Sequence, residues 1–194
     1  RGQFKGYRSE PGVAPDSEVE TYAALELRLN SWRWQGVPFF IRAGKCLPVT
    51  ATEVMAILKA PPQQVFDEPV PPQSNYFRFR LGPDQVAIAA GARTKTPGER
   101  MAGEEVELYV CNASPEAREA YERLIGDAMA GDATLFARRD GVEAAWNIVD
   151  PVITRGGAAY RYEPGSWGPR EADRMVAAYG GWYNPSADGG GPRG

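Results

Sequence analysis

Along the first half of the chain, apolar and polar residues alternate in runs typical of strands. From Tyr22 to Asn30, Ala23, Leu25, Leu27 and Leu29 fall on one face and Ala24, Glu26, Arg28 and Asn30 on the other. This period of two marks a half-buried strand. A turn through Ser31 to Gly36 follows, and Val37 to Ala43 (VPFFIRA) is a second, more apolar strand. Gly44 and Lys45 leave it. Glu53 to Lys59 is a third strand, followed by a loop from Pro61 to Gln73 whose prolines disfavour regular structure. In Tyr76 to Leu81, Phe77, Phe79 and Leu81 alternate with Arg78 and Arg80. A tight turn at Gly82-Pro83-Asp84 and a returning strand, Gln85 to Ala92, complete a hairpin. Glu105 to Val110 alternates again.

After Cys111 the spacing becomes helical. Ser114 is a candidate cap, with Pro115 at the first helical position and Glu116 in the first turn. Ala117, Tyr121, Leu124, Ile125 and Ala128 share one face, and Gly131 ends the helix. Asp140 is positioned to cap a second helix, with Val142, Ala145, Trp146 and Val149 inward and Pro151 ending or kinking it. Pro169 to Tyr179 is a third, shorter helix bounded by Gly180 and Gly181. The first twenty residues read as irregular. Strands thus precede helices without βαβ alternation. The expected fold class is α+β, a large, mainly antiparallel sheet with helices packed on one face. One domain over 1–185 is expected, followed by a disordered Gly-rich tail, 186–194.

Composition narrows the function classes. The formal net charge of -3 over 194 residues gives no reason to expect a nucleic-acid partner. No apolar run reaches membrane-spanning length, so no membrane partner is expected either. Cys46 and Cys111 form no redox or metal-ligand motif, which suits reduced thiols in a cytoplasmic protein. The chain has no histidine. That removes the usual catalytic triads and most zinc sites, and no metal site is expected. No Gly-x-Gly-x-x-Gly turn and no Walker loop is present. No catalytic residue is assigned within the chain.

Gly44-Lys45 is the most informative local feature. A glycine at a strand end lets backbone approach a ligand, and lysine supplies a point charge for a phosphate. The competing reading is a hairpin turn with a solvated lysine. Arg42 leaves its strand by the face opposite Ile41 and Ala43, away from Lys45. Arg78 and Arg80 share a face, for which a solvated or subunit-facing surface is expected. An exposed face is likewise expected for Glu104, Glu105 and Glu107. Trp32, Trp34, Trp146, Trp167 and Trp182 fit core or interface anchors better than a sugar platform.

Three stretches carry a family resemblance. SWRWQGVPFFIRAGKCL, from Ser31 to Leu47, resembles the RW-x-GVPF-x-x-R-x-GK-x-L segment of glucose-6-phosphate dehydrogenases. AYERLIGDAMAGDATLFARRDGVEAAW, from Ala120 to Trp146, is similar to that family's AYERL pattern and the Gly, Phe, Arg and Trp after it. GSWGPREAD, from Gly165, and WYNP, from Trp182, form the third, and RGQF and GYRSEPGV at the start also fit. Together they run in the family's order over nearly the whole chain.

The resemblance implies the C-terminal β+α domain of an enzyme that oxidises glucose 6-phosphate to 6-phosphoglucono-lactone, the entry to the pentose phosphate pathway. The family passes the hydride to NADP, sometimes NAD, bound mainly by an N-terminal Rossmann domain. The catalytic histidine, its aspartate partner and the nucleotide fingerprint lie upstream of this segment, so the isolated chain is expected to be inactive. Lys45 matches the family lysine on the sugar-phosphate side. A second basic residue five positions later is replaced by Thr50, and a glutamine in the later turn by Gly82. Arg42, Arg80 and Trp182 match parts of a second, structural NADP site of some members, but Trp167 replaces its arginine, so that site is not expected. The family dimerises through its sheet, and a homo-oligomer is expected. The alternative is a non-catalytic oligomerisation or interaction module of a divergent paralogue; a third reading is a carbohydrate-binding domain using the tryptophans.

Overall fold

The computed structural model describes residues 1–67, 75–83, 85–112, 120–154 and 157–187. The Ser114 cap with Pro115, Glu116 and Ala117, part of the proline-rich loop, Asp84 and the tail beyond Ala187 lie outside the described residues. In chain order the strands are β1 (Gly2–Phe4), β2 (Tyr22–Arg28), β3 (Pro38–Gly44), β4 (Thr52–Ile57), β5 (Tyr76–Gly82), β6 (Val86–Lys95), β7 (Gly103–Asn112) and β8 (Tyr160–Tyr162). Helices α1 (Ala120–Ala130) and α2 (Arg139–Thr154) precede β8, and α3 (Asp173–Val176) follows it. The class is α+β, and its strands are mainly antiparallel. They divide between two four-stranded sheets, ordered β3-β2-β1-β8 and β4-β5-β6-β7. The chain forms two compact units, Arg1–Ala113 with Ala159–Gly194, and Ser114–Ala158.

In the first sheet, β2 and β3 pair over their full length, from Tyr22 opposite Gly44 to Arg28 opposite Pro38. β1 runs antiparallel to β2 and parallel to β8. The opening residues are therefore not wholly irregular: Gly2 to Phe4 is a central strand. Three residues are too few to display a period, which is why β1 and β8 escape a pattern search. Phe4, Tyr22, Tyr162 and Ala172 form a buried core, with Tyr7, Ala24 and Leu47 packed against it. The Tyr22 and Tyr162 rings meet at 5.5 Å, a tilted pair of the kind worth about 0.5–1.5 kcal/mol beyond area burial. Gln3 is fully buried and its amide is satisfied at both ends. Its Nε2 donates to the Ser17 and Val19 carbonyls, and its Oε1 accepts from Arg161. That fastens the Gly- and Pro-rich loop after β1 onto the sheet.

The third helix is a succession of turns. A 3₁₀ turn at Arg170–Ala172 leads into α3 and a second 3₁₀ turn at Ala177–Tyr179. Pro169 stands before it in extended conformation. Gly180, in the left-handed region at φ 90°, closes it.

The second sheet is fully antiparallel. Its alternation was legible, but the orientation of its faces is the reverse of the expected one. Tyr76, Arg78 and Arg80 point into the protein, while Phe77 and Leu81 are exposed. The partner rows explain how long side chains fit inside. Tyr76 lies opposite Gly91, and Gly91 opposite Glu107. A side chain at Gly91 would meet the Tyr76 ring at 2.2 Å, so only glycine lets that ring lie across β6. Arg78 crosses Ala89 in the same way, and Arg80 crosses Ala87; both alanines are buried.

Within the second unit, Gly131 ends α1 at φ 73°. Pro151 does not end α2, which continues to Thr154. Proline in a last turn forfeits a single amide bond, so the helix survives it. The apolar stripe of α2 is present, but Trp146 is 56% exposed rather than inward. Tyr121 and Ile125 of α1 are exposed too. Two short helices have too little surface to bury such stripes by themselves.

Candidate functional site

The site builds up from the end of β3. Gly44 pairs with Tyr22, and a side chain on Gly44 would come within 2.7 Å of the Tyr22 ring. Gly168, at φ 104°, meets the same ring from another segment, where an added carbon would lie 2.4 Å away. Both glycines thus let backbone close on Tyr22. The backbone of Lys45 is then held at both ends. Its N–H donates to the Thr21 carbonyl at 2.8 Å, and its carbonyl accepts from the Tyr162 hydroxyl at 2.8 Å. Cys46 takes the left-handed conformation at φ 53°, and its carbonyl accepts the Gly165 N–H at 2.7 Å. The Lys45 side chain stays exposed. Among the described residues no ion pair or hydrogen bond involves its ammonium. A fixed backbone carrying a free cation is an arrangement suited to an anionic group.

Arg42 does not join Lys45, as strand geometry implied. Its guanidinium stacks on Trp167 at 4.6 Å and Trp182 at 5.0 Å and donates to the Tyr183 carbonyl and Asn184 Oδ1. Burial pushes its pKa down, because the charged form loses water and its bonded partners are neutral. Trp167 and Trp182 are the tryptophans that act as anchors. Trp32 is 88% exposed and Trp34 is exposed as well.

Arg78 and Arg80 are not on a solvated surface. Each is 1% exposed, in a network with two carboxylates. Arg78 Nη2 donates to Glu107 Oε1 at 2.6 Å, and Tyr76 donates to Glu107 Oε2 at 2.7 Å. Arg80 Nη1 donates to Glu53 at 2.9 Å and to the Ser186 carbonyl at 2.9 Å. Glu107 is therefore not on an exposed face, whereas Glu104 and Glu105 are exposed. Tyr183 beside this network is pushed up to about 12 by burial and by Glu53. Thr50 is exposed just before β4, and Gly82 is buried opposite Thr52.

The sequence pattern singles out Lys45 and Gly44 but not Tyr162, Thr21 and Tyr22, which contact their backbone. Their only signal was indirect: two glycines, Gly44 and Gly168, distant in sequence, with no turn that demanded both.

The profile of "Glucose-6-phosphate dehydrogenase, C-terminal domain" matches residues 1–184. The glucose-6-phosphate 1-dehydrogenase of Aggregatibacter actinomycetemcomitans is 44% identical over 189 residues, covering 94% of this chain and 38% of that protein. Glucose-6-phosphate 1-dehydrogenase 1 of Mycobacterium tuberculosis strain H37Rv is 38% identical over 187 residues, covering 95% and 40%. The crystal structure of the enzyme from Mycobacterium avium superposes with a TM-score of 0.85 at 38% identity, over 96% of this chain and 40% of that one. A glucose-6-phosphate dehydrogenase in complex with its substrate glucose-6-phosphate superposes with a TM-score of 0.69 at 27% identity, over 92% and 38%. The chain spans about two fifths of the length of the curated relatives it matches. Fold and relatives together define an α+β domain of the kind found in glucose-6-phosphate dehydrogenases. The chain belongs to the glucose-6-phosphate dehydrogenase C-terminal domain family.

Proposed function

We propose that the chain is the substrate-binding and subunit-pairing domain, over 1–185, of an NADP-dependent, cytoplasmic glucose-6-phosphate dehydrogenase. The observation that carries this reading is the exposed Lys45 ammonium, without a partner among the described residues, on a backbone fixed at both ends. Lysine is a compact, strongly hydrated charge, suited to a phosphate oxygen. A charge-assisted hydrogen bond of this kind is worth about 1.5–3 kcal/mol. Thr50 adds no second cation, so Lys45 supplies the attraction on this loop. The chain's part in the reaction is to bind and orient glucose 6-phosphate on its way to 6-phosphoglucono-lactone.

On this reading the hydride acceptor is held elsewhere in the parent polypeptide. Among the described residues the only parallel pair, β1 with β8, lacks the strand–helix–strand crossover and glycine-rich turn of a dinucleotide cradle. With no histidine in the sequence, the chain by itself should give no turnover. In the full-length enzyme, Lys45→Ala should lower kcat/KM for glucose 6-phosphate by about ten- to a hundred-fold. An unchanged value would return Lys45 to a solvated turn.

One observation favours a second role. The outward face of the second sheet carries Phe77, Leu81, Val86, Ile88, Leu108 and Val110, all exposed. A contiguous apolar sheet face suits pairing with a second copy of the chain. As a non-catalytic oligomerisation module, the chain would keep this property and lose any dependence on Lys45.

A further inference from the structure

Hydrogen bonds link the Phe4 amide, the Thr21 hydroxyl and the Tyr162 hydroxyl to the Lys45 peptide. The Phe4 N–H is a donor only, so Thr21 Oγ1 accepts from it at 2.9 Å. The Thr21 hydroxyl also lies 3.1 Å from the Tyr162 hydroxyl, a contact in which either oxygen can donate. The Tyr162 hydroxyl has one proton and two carbonyls within reach, Lys45 at 2.8 Å and Thr21 at 3.2 Å. The shorter contact takes it, and the Thr21 carbonyl already accepts the Lys45 N–H at 2.8 Å. The Lys45 carbonyl is thus the nearest of the three acceptors around the Tyr162 hydroxyl. Burial raises the pKa of Tyr162, so its phenol keeps the proton it donates.

The groups come from four separate places in the chain: β1, the residue before β2, β8 and the loop after β3. Tyr162 is buried in the core between Phe4 and Tyr22, so its ring cannot swing away. The next peptide is fastened to the same segment, since Gly165 donates to Cys46. The hydroxyl of Tyr162 is thus a fixed reference point for a lysine that is itself exposed.

We propose that Tyr162, aligned by Thr21, is a positioning residue that sets where the Lys45 ammonium meets the sugar phosphate. This rests on the reading of Lys45 as the phosphate ligand. A cation on a loose loop loses rotational freedom when it binds, whereas one on a clamped peptide has lost part of it beforehand.

The test uses steady-state kinetics of the full-length dehydrogenase with glucose 6-phosphate. Tyr162→Phe keeps the ring and removes the hydroxyl. It should raise KM about 5- to 20-fold and leave kcat within about twofold. Thr21→Val should act in the same direction, and Thr21→Ser should restore the wild-type KM. If Tyr162→Phe does not fold, the Thr21 pair carries the test. Tyr162→Phe added to Lys45→Ala should raise KM no further than Lys45→Ala alone. Additive losses would overturn the proposal, because Tyr162 would then act independently of Lys45. If Lys45→Ala raises KM and neither Tyr162→Phe nor Thr21→Val does, the positioning role alone is overturned. If Lys45→Ala leaves KM unchanged, the phosphate reading falls and the positioning role with it.

Discussion

The two sheets of the first unit solve the same problem in opposite ways. The sheet β3-β2-β1-β8 buries aromatic rings, Phe4, Tyr22 and Tyr162; the Tyr162 hydroxyl reaches backbone carbonyls, and among the described residues the buried Tyr22 hydroxyl has no partner. The sheet β4-β5-β6-β7 buries arginines and carboxylates and leaves Phe77, Leu108 and Val110 in solvent. The first arrangement gains from apolar burial, with little to desolvate. The second has to remove two guanidinium ions and two carboxylates from water, a penalty of several kcal/mol per ion before pairing offsets it. A buried ion network is therefore weak evidence for stability, but it tolerates only one register. The first sheet is where a site can be anchored firmly, and the Lys45 loop is anchored there.

The largest effect expected from this contrast lies in the second sheet. Glu53 is the carboxylate that both Arg78 and Arg80 approach, at 3.6 and 2.9 Å. Glu53→Ala leaves Arg80 a buried cation without its carboxylate and should destabilise by about 3–5 kcal/mol. The denaturant midpoint measures this. Removing both members of the pair, as in Glu53→Leu with Arg80→Met, should recover most of the loss, since an apolar pair has no desolvation penalty. If the double variant is as unstable as the single one, the burden lies in shape and not in charge.

The alkaline limb of stability sharpens the same point. Tyr183 has its folded pKa raised to about 12 by burial beside the carboxylates, above the usual phenol value. A raised folded pKa means that the folded state holds the proton longer than the unfolded one. Its contribution is full below pH about 10 and is lost as the pH rises toward 12. Melting temperatures taken from pH 9 to 11 should fall less steeply in Tyr183→Phe than in the wild type.

The smallest stability effect should come from the outer face of the second sheet. Leu108 is 74% exposed, so Leu108→Lys should shift the folding free energy by less than about 0.5 kcal/mol. If the chain pairs through this face as proposed, Leu108→Lys should nonetheless shift the mass seen by light scattering from dimer to monomer. A monomeric wild type would remove the case for pairing through this face.

What could be read in advance followed what a period can encode. Strands β2 to β7 appeared because each is long enough to repeat, and α1 and α2 because their apolar spacing persists for turns. β1 and β8 are three residues each, and their pairing is a tertiary event. The reversed faces of β5 were hidden for a different reason. Alternation tells which residues share a side, but the usual assumption that apolar residues face inward decides which side is which. The signal that could have corrected it was on the neighbouring strands: Ala87, Ala89 and Gly91 are small enough for arginines to cross, and Glu53 and Glu107 stand at the ends of that crossing. Lys45 was visible because a glycine and a lysine end an apolar run. Tyr162 was not, because a hydroxyl that bonds a backbone carbonyl 117 residues away leaves no local trace.

In the proposed function Lys45 recognises the phosphate and not the sugar, and is not needed for the fold. The direct measurement is the ratio of kcat/KM for glucose 6-phosphate over glucose, in the full-length wild type and in Lys45→Ala. Glucose has no phosphate to hold, so its value should change little, and the ratio should fall by about ten- to a hundred-fold. Equal losses on both substrates, leaving the ratio unchanged, would contradict the claim.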